Sequence, residues 1–191
     1  MNREKIDRQQ YVRVLGVWQT EHISDWTKNT REICKKAFLR MGMLSRLKNV
    51  GEPIEYIIEI YCLFIRSTAE YCSAVFATSL TVEQYRKLTN IETTVLKIIF
   101  QDNYISYEAA LEMTGLSSFT ERRRAHLLSF SRRASRHPVH GPRMFPLNPY
   151  IQNTHNIRNR EKLHVNLSLR AIYFNSTIPT AQRLLNKSTM S

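Results

Sequence analysis

Ser118–Arg136 reads SFTERRRAHLLSFSRRASR. Ser118 and Glu121 have the spacing of a capping box: the Ser hydroxyl accepts from the N–H three residues on, and the Glu carboxylate accepts from the Ser N–H. At 100° per residue from Phe119, the apolar Phe119, Leu127, Phe130 and Ala134 fall in an arc from about 0° to 80°. Arg122, Arg132, Arg133 and Arg136 fall together between about 220° and 320°. The segment therefore predicts a helix with one core-facing side and one arginine face, ended by Pro138. Arg123 lies near 40°, inside the apolar arc, where an unpaired charge is costly. It is expected to be a structural arginine paired with Glu108 or Glu112.

Working outward, the same period recurs. Ser106 caps a short helix that Gly115 ends. Thr81–Gln84 is a second capping box, followed by Tyr85, Leu88, Val95 and Ile99 in register, with Glu92 as the misfit. Pro53 opens a helix that is apolar along Ile54, Ile57, Ile58, Tyr61, Ile65, Ala69 and Cys72. From Ser24 to about Gly51, the residues Trp26, Ile33, Ala37, Met41 and Leu44 share one helical face, while Lys28, Arg31, Lys35, Lys36 and Arg40 cover much of the rest. Only Tyr11–Trp18 (YVRVLGVW) reads as a strand. A single strand cannot form a sheet, so its partner is expected from another chain or from sequence outside this one. Beyond the arginine helix, HPVHGPRMFPLNPY holds four prolines and a glycine and reads as a linker or arm. The expected fold is mainly α: a helical bundle with one N-terminal β-strand and an irregular basic C-terminal tail. The expected divisions are 1–20, 21–137 and 138–191.

Only five glycines occur in 191 residues, which disfavours hairpins and phosphate-cradling loops and favours helices. The net charge of +12 is unevenly placed: residues 1–117 hold 15 Lys or Arg against 14 acids, and residues 118–191 hold 13 against 2. A concentrated cation of this kind points to a polyanionic partner, nucleic acid before membrane. The competing reading is a solvated basic tail, but no acid lies between Glu121 and Glu161 to make a mixed salt-bridge surface.

Two-metal nucleotidyl transfer needs paired carboxylates, whereas the three aspartates, Asp7, Asp25 and Asp102, are far apart. No glycine-rich phosphate loop, Gly-x-Ser-x-Gly, Cys-x-x-Cys or His-Glu-x-x-His occurs. His137 and His140 lack further ligands at fitting spacing. No catalysis, metal or cofactor is expected within the chain. Cys34, Cys62 and Cys72 read as buried free thiols of a reducing compartment. With no signal segment and no apolar run approaching membrane length, the expected location is nuclear or cytoplasmic, not secreted.

Several strings, in order, resemble the C-terminal part of the reverse transcriptases of jockey-like non-LTR retrotransposons. They are VLGVW (Val14–Trp18), IRSTAEYCSAVF (Ile65–Phe76), LTVEQYRKL (Leu80–Leu88), ISYEAALEMTGLSSFTERR (Ile105–Arg123), FPLNP (Phe145–Pro149) and IPTAQRLLNK (Ile178–Lys187). Family members often carry Pro where this chain has Ala74 and Trp where it has Phe76. The resemblance implies that Val12–Trp18 matches the last palm strand and that Ser24 to about Phe100 matches the thumb, which grips the template–primer duplex. The catalytic Asp pair would lie upstream of this sequence.

The function expected is that of a non-catalytic fragment or remnant of an RNA-directed DNA polymerase. It would bind RNA–DNA or DNA duplexes largely without sequence preference, through Arg122, Arg132, Arg133 and Arg136. Secondary contacts are expected from Lys35, Lys36 and Arg40 and, in the tail, from Arg158, Arg160 and Lys162. The alternatives are a helical protein-interaction module, with a partner docked at Tyr11–Trp18, and a degenerate reading frame with no selected role.

Overall fold

A computed structural model describes residues 9–22, 25–147, 162–166 and 170–188. The chain is mainly helical, and the described residues form two compact units: residues 1–69 with 80–102, and residues 70–79 with 103–191. This division differs from the three consecutive segments expected, because each unit takes in pieces from two separate parts of the chain.

The first unit begins with a correction. Instead of one strand awaiting an outside partner, β1 (Tyr11–Val14) and β2 (Val17–Thr20) form an antiparallel hairpin with Val14 opposite Val17. Leu15 and Gly16 make the turn with φ of 47° and 86°. Two consecutive positive φ values fit the right-handed strand twist, though a leucine there costs about 1–2 kcal/mol. Val17 is buried, and Asn29 of α1 (Thr27–Val50) accepts from the Trp18 N–H through its side-chain oxygen at 3.2 Å.

Helix α1 ends at Gly51, whose φ of 89° suits a residue without Cβ. Pro53 then precedes α2 (Ile54–Ile60), which passes into a π-helical turn, Tyr61–Arg66, and on to α3 (Ser67–Glu70). A π turn spreads backbone hydrogen bonds to i→i+5 and leaves carbonyls to be claimed by side chains. Here Ser67 donates to the Leu63 carbonyl, while Thr68, at 3.0 Å, and Arg40 both donate to that of Phe64. The apolar run expected to continue through Cys72 stops at Glu70, because Cys72 adopts a left-handed φ of 53°. Helix α5 (Val82–Phe100) starts at the expected capping box, with Thr81 N–H to Gln84 Oε1 at 3.0 Å and the return bond at 3.2 Å. The core joins Ala37, Met41 and Leu44 of α1 to Ile57, Tyr61 and Ile65 and to Leu88, Ile91, Val95 and Ile99 of α5.

Glu92, the misfit on the apolar face of α5, is fully buried. Its carboxylate lies 3.3 Å from the Arg66 guanidinium and accepts a 3.3 Å hydrogen bond from the Tyr61 hydroxyl. Burial first, then the negative charge of Glu92, pushes the Tyr61 hydroxyl far above its ordinary pKa.

The second unit holds α4 (Ser73–Phe76), α6 (Tyr107–Thr114), α7 (Phe119–Ser135), α8 (Gly141–Met144), α9 (Ala171–Phe174) and α10 (Thr177–Ser188). Ser106 caps α6, and Gly115 closes it with a φ of 65°. The described residues beyond Pro138 hold helices where an irregular tail was expected. Helix α10 packs on α7 with Ala181 fully buried, and Leu127, Phe145 and Ala181 form a shared core. Gln182 donates to the Met144 carbonyl at 2.6 Å, and Asn186 makes reciprocal bonds with the Leu163 backbone at 2.8 and 3.1 Å. Gln182 thus satisfies a backbone carbonyl of the proline-interrupted arm, and Asn186 the backbone of Leu163, which bridges to Leu147 of that arm.

Candidate nucleic-acid interface

The arginine helix forms as its sequence dictates. The Ser118 N–H donates to the Glu121 carboxylate at 2.9 Å, and the Glu121 N–H donates back to the Ser118 hydroxyl at 3.2 Å. The Ser118 N–H, and then the Ser118 hydroxyl, by donating to the carboxylate hold the Glu121 carboxyl below its usual pKa. Phe119, Arg123, Leu127 and Ser131 are buried, which fixes the rotation of α7. Arg132, Arg133 and Arg136 consequently face outward and are exposed. Among the described residues no carboxylate lies within 4.0 Å of any of them. Arg143, exposed on α8, adds a fourth guanidinium on an element that packs against α7.

Cations in the last turn of a helix are favoured by its dipole, by about 0.3–1 kcal/mol each. That effect reaches Arg132, Arg133 and the C-cap Arg136 of α7 and Arg143 in the single turn of α8, and it is small for each. Neighbouring like charges also repel within a Debye length of about 8 Å. A grouping that does little for the fold creates a local positive potential instead, and arginine presents planar paired donors to phosphate oxygens.

Arg122 does not belong to that outward face. Its Nε and Nη2 donate to the two carboxylate oxygens of Glu70 at 2.6 and 2.8 Å. Glu70 is buried, and the arginine side chain is 40% exposed, so the pair anchors the first turn of α7 and Arg122 is occupied. Arg123 is buried as expected, with its guanidinium carbon 5.1 Å from the centre of the Phe119 ring. Glu108 and Glu112, the partners expected for it, are both exposed.

Of the secondary candidates, Lys35 and Lys36 are exposed on α1. Arg40 is tied down by the Phe64 carbonyl and the Thr68 hydroxyl at the π turn, so its role is to brace that turn. Lys162 is half-buried, and Arg158 and Arg160 lie outside the described residues. The alternative expectation, a protein partner docked at Tyr11–Trp18, falls on the hairpin. Val17 is buried, and the Lys28 ammonium sits 5.0 Å from the Trp18 ring, leaving Val12, Val14 and Leu15 exposed.

Sequence reasoning missed Glu70 and Arg143. Glu70 stands on a helix whose apolar stripe drew attention elsewhere, and Arg143 sits in an arm read as irregular. The His137 and His140 rings stack at 4.6 Å, and His137 Nδ1 accepts from the N–H groups of Val139 and His140. Among the described residues no three His, Cys, Asp or Glu side chains gather to hold a metal ion, and no helix is long and apolar enough to cross a membrane. No protein-family model, no curated protein and no solved structure matches the chain.

Proposed function

We propose that the protein binds double-stranded nucleic acid without catalysing a reaction on it, gripping phosphates through Arg132, Arg133, Arg136 and Arg143. The observation that carries this reading is the outward arginine face of α7 with no carboxylate beside it among the described residues. The sequence resemblance supports the same reading, as the thumb and C-terminal part of a reverse transcriptase of the jockey-like non-LTR group. Binding is through backbone phosphates, so it is insensitive to base sequence and sensitive to salt. With four phosphate contacts, the logarithm of the association constant falls against the logarithm of salt concentration with a slope of about −3 to −4. Filter binding of an RNA–DNA duplex and of a sequence-scrambled duplex across a salt series tests both properties. Equal affinity for the two duplexes and this slope are expected.

A second reading, a protein-docking module, is favoured by the exposed hairpin residues Val12, Val14 and Leu15, the last 84% exposed. An unpaired strand edge next to apolar side chains invites strand addition by a partner. Absent or salt-insensitive duplex binding in the same experiment favours this alternative.

A further inference from the structure

We propose that the outward faces of α1 and α2 form a self-association surface, on which a second copy of this chain seats its α2 against α1 and its α1 against α2. The arginine face of α7 takes no part in it. On α1, Leu39, Met43, Arg46 and Val50 are all exposed and follow one another at spacings of 4, 3 and 4, the seam of a helix that packs on another helix. Leu39 and Val50 are the least covered, at 73% and 79%. Beyond the turn at Gly51, Tyr56 and Glu59 of α2 and Leu63 of the π turn are exposed at spacings of 3 and 4. The same helices turn Ala37, Met41 and Leu44, and Ile57, Tyr61 and Ile65, into the core, so both seams lie on the far side from it. Single apolar side chains in water are ordinary, whereas two neighbouring seams make a patch of the kind that marks an interface.

Charge and direction identify the occupant. The two helices run antiparallel, since they are joined through Gly51–Pro53 and Arg40 of α1 reaches the Phe64 carbonyl and the Thr68 hydroxyl. Each seam carries one charge among its apolar residues, and the two charges are of opposite sign. Neither Arg46 nor Glu59 has an oppositely charged partner within 4.0 Å among the described residues. Half a turn about an axis parallel to the helices exchanges α1 and α2 while keeping each residue at its height along the axis. Val50 of one copy then meets Tyr56 of the other, Arg46 meets Glu59, and Leu39 and Met43 meet Leu63. Such a two-fold contact makes every one of these pairings twice. The opposite charges fix the register, because any slip leaves them against apolar neighbours. A foreign helix could answer one seam, whereas this chain carries the complement of both.

Sedimentation velocity of the full chain, freed of nucleic acid and followed over about a hundredfold range of concentration, tests the contact by mass action. A reversible monomer–dimer equilibrium is expected, with no larger species. Leu39→Asp should abolish the dimer while leaving helicity unchanged, as befits a position so exposed. Arg46→Glu and Glu59→Arg alone should each weaken dimerisation about tenfold or more, by setting like charges against each other. The two reversals combined should restore the parent dimer to within about threefold, because each pairing is re-formed with its signs exchanged. Arg132→Glu with Arg133→Glu, on α7, should leave the dimer unchanged, which separates this surface from the duplex-binding face. The proposal is overturned if the chain is monomeric at every concentration or forms open-ended assemblies. It is equally overturned if Leu39→Asp dimerises like the parent, or if the double reversal dimerises no better than the single ones.

Discussion

The Arg66 guanidinium meets the Glu92 carboxylate at 3.3 Å, with side-chain exposures of only 3% and 0%. Taking two charges out of water costs several kcal/mol each, so this pair persists only because the π turn and α5 hold the partners in register. Removing one partner leaves a buried charge uncompensated. Arg66→Ala or Glu92→Ala should lower the stability of the first unit by about 3–5 kcal/mol in urea denaturation. Replacing both, as Arg66→Met with Glu92→Leu, should recover most of that loss. Single variants within 1 kcal/mol of the parent rule out a shared role for the pair.

Tyr61 connects the same cluster to pH. Its folded pKa is raised, mainly by burial, so the neutral hydroxyl is favoured in the folded state. The stability this contributes is fully present below the ordinary tyrosine value of about 10 and is lost as pH rises beyond it. Melting temperature followed from pH 8 to 11 should fall steeply above about pH 10. Tyr61→Phe should flatten that fall and, at pH 7, cost about 1–3 kcal/mol through the lost bond to Glu92.

Gly141 shows how tightly the arm is fastened. A Cβ built there would meet the Ser135 carbonyl oxygen at 2.4 Å, and that oxygen is backbone that cannot swing aside. Gly141→Ala should therefore push α8 off the end of α7 and destabilise the second unit by about 1–3 kcal/mol. Hydrogen exchange should report faster loss of protection in α8 and α10. An unchanged exchange pattern would show that the close approach is not needed.

Arg122 and its neighbours on the wheel should behave differently. Arg122→Ala leaves buried Glu70 without its bidentate partner, and because Arg122 is 40% exposed the loss is modest, about 1–2 kcal/mol. Its effect on the salt dependence of duplex binding should be nil. A salt slope that becomes shallower by about 1 with this variant would return Arg122 to the phosphate-contacting set.

Helices were legible wherever local chemistry decides them: both capping boxes, the Ser106 cap and the glycines at 51 and 115 stand where their spacing placed them. The hairpin was missed because its turn begins with Leu15, a residue that does not announce a positive φ. Glu92 was visible as a misfit, but its partner Arg66 lies 26 positions away and is reached only through tertiary packing. Arg122 failed for the same reason. A helical wheel shows which side chains share a face and says nothing of a carboxylate arriving from α3. Helix α10 is amphipathic, but Pro179 falls in its first turn, where proline is tolerated and yet reads in sequence as a break.

Filter binding of the full chain to an RNA–DNA duplex between 50 and 300 mM potassium chloride, repeated with Arg132→Glu, Arg133→Glu and Arg136→Glu combined, probes the arginine face most directly. The parent should show a slope of about −3 to −4, and the triple variant one shallower by about 3 with its helicity unchanged. Equal slopes for parent and variant would mean that α7 does not meet the phosphate backbone.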